Sequence, residues 1–192
     1  MAVISLDPES FTERNYPRAD EVSEEVDQLY LAVHPGFALE NDEYQDLGLR
    51  AEDHFRFTYS FFNEFRDRAE SGYRIAVLEE TGSSYSREFL GELSDEVDHW
   101  FETNPGNAKI RYSNADEFIE LVYSLADGAE VLISGELNNL CQAQAWQIVD
   151  HVAEEEEKNL DMSYGESFPS RPLIREDGEL RFCEDDSCRL GH

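Results

Sequence analysis

The chain of 192 residues carries 44 Asp and Glu against 15 Lys and Arg, a net charge of −29 at pH 7 and a sequence pI near 4.2. Such a field repels DNA, RNA and anionic lipid and so excludes nucleic-acid and membrane-surface binding, while 40% apolar and 12% aromatic residues exclude an acidic disordered chain. The length fits one domain with a sizeable core, and no apolar run reaches the ~18 residues of a membrane helix.

Residues 1–25 are polar, contain Pro8 and Pro17, and read as an N-terminal arm. An apolar run over 29–33 stops at His34-Pro35-Gly36, the way a buried strand ends in a turn. The spacing then predicts a long helix over about 41–70, with Phe55, Tyr59, Phe62 and Phe65 as its apolar stripe and Gly72 near its end. Residues 74–78 form a second strand closed by Thr81-Gly82-Ser83, and 86–101 read as a helix broken at Asn104-Pro105-Gly106. A third strand is expected over 108–112, followed by a helix to about Ala126 with Asn114 as its N-cap. Residues 130–134 make a fourth strand ended by Gly135, and a helix follows from about Asn138 to Lys158 with Leu140, Ala143, Trp146 and Val149 on one face. A fifth strand is expected over 161–164.

Strands alternating with helices call for crossover units. The expected fold is therefore a three-layer α/β domain over 26–168, with a mainly parallel sheet of four to six strands and helices on both faces. Residues 169–192 break the rhythm: 173–175 and 179–182 flank Asp177-Gly178, a hairpin signal, and a Cys/His tail follows.

Among the basic residues only Lys109 and Lys158 are lysine. Dense carboxylates with arginine in place of lysine resemble cytosolic proteins of salt-in halophiles, above all haloarchaea. The resemblance implies a cytoplasm at molar salt, where the Debye length is about 3 Å and the self-repulsion is screened. The N-terminus, with acids where a signal peptide has lysines, agrees with a cytosolic location.

One stretch carries a chemical signal, running from Val131 through Ser134-Gly135-Glu136-Leu137-Asn138-Asn139-Leu140 to Cys141. A cysteine six residues beyond a strand-ending glycine falls in the first turn of the next helix, where unpaired amide protons and the positive dipole end stabilise a thiolate. The segment resembles the nucleophile segment of the isochorismatase-like cysteine hydrolases, a family built on a parallel α/β sheet. That resemblance implies Cys141 as nucleophile, with the turn at Gly135, Leu137 and Asn138 supplying oxyanion amides and a small amide or acyl compound as substrate. It also sets Ala32 where the family has its catalytic aspartate, and puts Lys109 near the family's lysine. From the residues themselves, His34 at the end of the first strand would share a crevice with Cys141 if strands one and four are neighbours. It could then act as base, with Glu136 or Glu79 orienting its ring.

The other reading is a catalytically inactive interaction or regulatory protein that binds a protein partner, or a second copy of itself through the aromatic helix. Cys183, Cys188 and His192 add a second constellation, open to three readings: a zinc site needing a fourth ligand, a disulfide between the two cysteines, or an unstructured tail. No glycine-rich dinucleotide loop, phosphate-binding P-loop or His-Glu-x-x-His is present in the sequence.

Overall fold

The computed structural model describes residues 4–5, 25–40, 48–104, 111–112, 115–137, 140–171, 173–176 and 179–183. Pro8 and Pro17 of the arm, Lys109, Asn114, Asn138, the Asp177-Gly178 turn, Cys188 and His192 lie outside them.

In chain order the elements are β1 (Ile4–Ser5), β2 (Val26–Val33), α1 (Phe37–Glu40), α2 (Ala51–Glu70), β3 (Arg74–Glu80), α3 (Tyr85–Leu90) with a 3-10 turn over Gly91–Glu96, β4 (His99–Asn104), β5 (Arg111–Tyr112), α4 (Ala115–Tyr123), β6 (Leu125–Glu136), α5 (Cys141–Glu155), β7 (Asp161–Phe168), β8 (Leu173–Glu176) and β9 (Glu179–Phe182). The sheet order is β1-β5-β4-β3-β2-β6-β7, parallel from β4 to β7, and β8 and β9 form a separate antiparallel hairpin. In order of appearance the five parallel strands lie 3-2-1-4-5, the doubly wound arrangement. The fold is the three-layer α/β architecture expected, with two short antiparallel strands added at one edge.

Each face of the sheet carries its own core. Leu29, Leu31, Val33, Val131 and Ile133 point to one face and pack with Phe118, Ile119 and Val122 of α4 and Ile148, Val149 and Val152 of α5. Their alternates Tyr30, Ala32, Ile75, Val77 and Leu132 point to the other and pack under Phe57, Phe61 and Phe65 of α2. This period-two division explains why the central strands read as unbroken apolar runs.

The alternation of elements holds, but three local expectations are corrected. Residues 86–101 are not one helix: α3 ends at Leu90, and His99–Asn104 is the third parallel strand. Of the expected 108–112 strand, the described residues Arg111–Tyr112 pair antiparallel to β4 and β1 rather than parallel, and 108–110 lie outside the described residues. In α2 the buried stripe is Phe57, Phe61 and Phe65, spaced one turn apart, whereas Phe55 and Tyr59 are 72% and 68% exposed on the outer side.

Polar groups fix the layers to each other. The Glu64 carboxylate of α2 accepts from Tyr30 Oη at 3.0 Å and from the Glu166 amide at 3.1 and 3.2 Å. Ser134 Oγ lies 2.7 Å from the same carboxylate and 2.6 Å from the Glu166 carbonyl, and shares its one proton between them. Across the sheet, Lys158 Nζ donates to the Tyr123 and Leu125 carbonyls at 2.6 and 2.7 Å, closing the corner between α4 and β6.

Candidate active site at the switch point

The crossover helix α2, with α3, covers one face of the sheet, and α4 and α5 cover the other, so the chain reverses direction between β2 and β6. In doubly wound sheets ligands bind beyond the carboxyl ends of such a strand pair. Val33 pairs with Gly135 there, which brings His34 and Glu136 to the same edge. The two backbones touch: a Cβ on Gly135 would enter the Val33 carbonyl, and Gly135 has φ +115°, so glycine is required at this position.

Both strand ends are strained. His34 has φ 47° and Leu137 φ 58°, two of the three non-glycine residues in the left-handed region among those described. Leu137 turns the chain out of β6, its carbonyl accepts the Leu140 amide at 3.0 Å, and α5 begins at Cys141. The half-buried Cys141 thiol, which forms no disulfide, thus sits at the first position of a helix of 15 residues, next to amides with no acceptor inside the helix. It touches both cores.

His34 is 2% exposed. Its Nε2 lies 2.8 Å from Thr103 Oγ1, and that hydroxyl donates to the Glu79 carbonyl at 3.3 Å. With the threonine proton committed, Nε2 is the donor, and the neutral ring presents a bare Nδ1 that has no hydrogen-bond partner. Burial brings the imidazole down to a pKa of about 4, so it is neutral at pH 7. Because Nδ1 is unpartnered, no hydrogen bond joins His34 to the Cys141 thiol at rest.

The expected carboxylate partners of His34 are corrected. Glu136, 0% exposed, accepts from the Gly36 and Ala38 amides at 2.8 and 2.7 Å and from His54 Nε2 at 3.3 Å, so it caps α1 and holds α2. Burial pushes its carboxyl above the usual range, and the bonds from His54, Ala38 and Gly36 act against that. Glu79 accepts from the Ser86 and Arg87 amides at 3.2 and 3.3 Å and caps α3, with the Arg87 guanidinium 3.4 Å away. The ring of His34 is oriented by Thr103 instead. Thr103 alternates inward with Phe101 along β4, a period-two signal in the 99–103 stretch that a helical reading passes over.

Tyr85 completes the crevice. It is buried, and its phenol is pushed up first by burial and then by the charges of Glu80, Cys141 and Glu136, which puts it within electrostatic reach of the thiol. The hydroxyl lies near the Glu80 backbone but completes no hydrogen bond. Ser86 Oγ and Gln142 Nε2, at the starts of α3 and α5, are buried and unpartnered as well. Ala32 is fully buried in β2, between Val77 and Ser134, and contributes only packing.

Away from this edge, Cys183 is buried and disulfide-bonded, so the zinc reading of the tail needs it reduced. Among the described residues no group of three or more His, Cys, Asp or Glu is placed to hold a metal ion, and no helix is long and apolar enough to cross a membrane. Compared with protein-family models, curated proteins and solved structures, the chain matches none.

Proposed function

We propose that the protein is a divergent cysteine hydrolase, of isochorismatase-like type, acting on a small amide or acyl compound in a salt-rich cytosol. The observation that carries this reading is the placement of Cys141 at the start of α5, across the switch point from the strained and buried His34 with its bare Nδ1. In the proposed reaction the Cys141 sulfur attacks the acyl carbon while the thiol proton passes to His34 Nδ1. The C–N bond then breaks, the amine leaves with that proton, and water hydrolyses the thioester to carboxylate and thiol. First-turn amides of α5 and the turn at Leu137 would face the oxyanion. A neutral His34 accepts the proton only during the transfer, so no imidazolium–thiolate pair forms at rest.

Alkylation by iodoacetamide against pH, read peptide by peptide in molar KCl, tests this directly. Cys141 is expected to react with an apparent pKa well below the ~8.5 of a free thiol, and Cys141→Ser is expected to abolish turnover of small amides while keeping the fold. An unreactive Cys141, or a Ser variant with full turnover, refutes the proposal.

A second reading rests on a different observation. Phe55, Tyr59 and Leu39 are exposed by 72, 68 and 62%, the most exposed large apolar side chains among the described residues. On this reading the protein is catalytically silent and binds a protein partner or a second copy through α2. Sedimentation of wild type against Phe55→Ser/Tyr59→Ser checks the homo-oligomer directly.

A further inference from the structure

A cleft of about 420 Å³ opens between the first turns of α2, the carboxyl end of β7 and the β8–β9 hairpin. Its volume falls in the ~300–1,000 Å³ range of small-molecule sites. None of its lining residues belongs to the switch-point crevice. Phe57 and Phe168, with ring centres 5.4 Å apart and both rings buried, make an apolar wall.

The polar lining carries both signs of charge. Arg56 and Arg171 stand on the rim. Arg56 pairs with Glu52 at 3.1 Å, through side chains exposed by 71 and 59%, a contact of little strength that a ligand can displace, and its charge also acts on Asp53. Arg171 lies over the Phe182 ring at 4.7 Å and, among the described residues, donates to the Cys183 carbonyl at 3.4 Å, which leaves most of its five N–H donors without an acceptor among them. In a chain with 44 acids and 15 basic residues, two guanidiniums lining one cleft are a local concentration of positive charge.

Glu166 lines the same cleft. It makes no ion pair among the described residues, and it stands beside Glu64, which with burial holds its carboxyl above the usual range. The remaining acid of the lining, Asp53, is already neutralised by Arg50, whose backbone amide donates to it at 3.1 Å and whose guanidinium donates at 3.4 Å. Among the described residues the cleft therefore offers guanidinium donors for a carboxylate, a carboxylate with no ion pair, and an aromatic wall.

We propose that this cleft binds a small zwitterion, an ammonium and a carboxylate on an aromatic body, the chemistry of a free aromatic amino acid. Arg171 and Arg56 take the carboxylate in fork geometry, Glu166 takes the ammonium, and the ring lies against Phe57 and Phe168.

L-phenylalanine is the probe, titrated into the full chain in molar KCl and followed by amide NMR shifts or calorimetry. Saturable binding is expected, with 3-phenylpropanoate (no ammonium) and phenethylamine (no carboxylate) each at least about tenfold weaker. Glu166→Gln should remove the preference for phenylalanine over 3-phenylpropanoate, and Arg171→Gln the preference over phenethylamine. No saturable response to phenylalanine up to about 20 mM, far above the ~1 mM of a weak specific ligand, overturns the proposal. So does wild-type protein that binds either truncated analogue as tightly as phenylalanine. The analogue series on wild type stands alone should a variant fail to fold.

Discussion

His34 carries two costs at once, a left-handed backbone and a buried ring whose charged form is disfavoured. In the unfolded chain it takes up a proton near pH 6.5, and in the folded chain only near pH 4. As pH falls through that interval the unfolded state binds the extra proton, so folding stability drops, by about 3 kcal/mol in all. Glu136, held above its usual range by burial, works with the opposite sign, because the folded state then binds its proton first. The measurement is therefore a difference: urea unfolding of wild type and His34→Asn at pH values across the interval. The His34 slope is expected to vanish in the variant, since asparagine tolerates the left-handed backbone and does not titrate. The same pKa means that protonation of His34 leaves the Cys141 alkylation profile unchanged between about pH 5 and 8.

Among the elements, α2 is tied down by more than its phenylalanines. Glu64 joins it to β2, β6 and β7 through Tyr30, Ser134 and the Glu166 amide. Glu64→Ala leaves Tyr30 Oη and the Glu166 amide without this acceptor and Ser134 with the Glu166 carbonyl alone, and is expected to cost about 2–4 kcal/mol, with Glu64→Gln costing less because an acceptor oxygen stays in place; urea midpoints in molar KCl check the order. None of this anchoring could be read from the sequence, where Glu64 looks like any charge on an outer helical face. The strands over 29–33, 74–78 and 130–134 could be read, because burial on both faces leaves unbroken apolar runs that end at His34-Pro35-Gly36 and Gly135. The strand over 99–104 is harder to read, because its Phe101/Thr103 alternation is short and follows directly on a helical segment. In the candidate site the chain neighbours were legible and the partners across the sheet were not. Gly135 and Cys141 stand six residues apart, whereas the Thr103 that orients His34 is 69 residues away and is brought close only by the β2–β3–β4 register.

At the scale of the whole molecule, the charge of −29 sets the conditions of folding. Three of the described arginines are committed locally: Arg87 stacks on Trp100 at 3.8 Å, Arg68 lies 5.0 Å from the Tyr73 ring centre, and Arg50 holds Asp53. On the proposed reading of a salt-rich cytosol, dissolved cations screen the carboxylate repulsion. The fold is expected to loosen below about 0.5 M KCl, where the Debye length exceeds ~4 Å. Circular dichroism along a salt titration reads this, and a spectrum unchanged in salt-free buffer contradicts it.

The corner between α4 and β6 adds a tool to that titration. Lys158, one of two lysines in the chain, has its ammonium fastened to the Tyr123 and Leu125 carbonyls at 2.6 and 2.7 Å. An acylating reagent can reach the free amine only when both bonds open and the proton leaves. The mass gained at Lys158 over time is thus a clock for that corner, timing its opening while the rest of the chain stays folded.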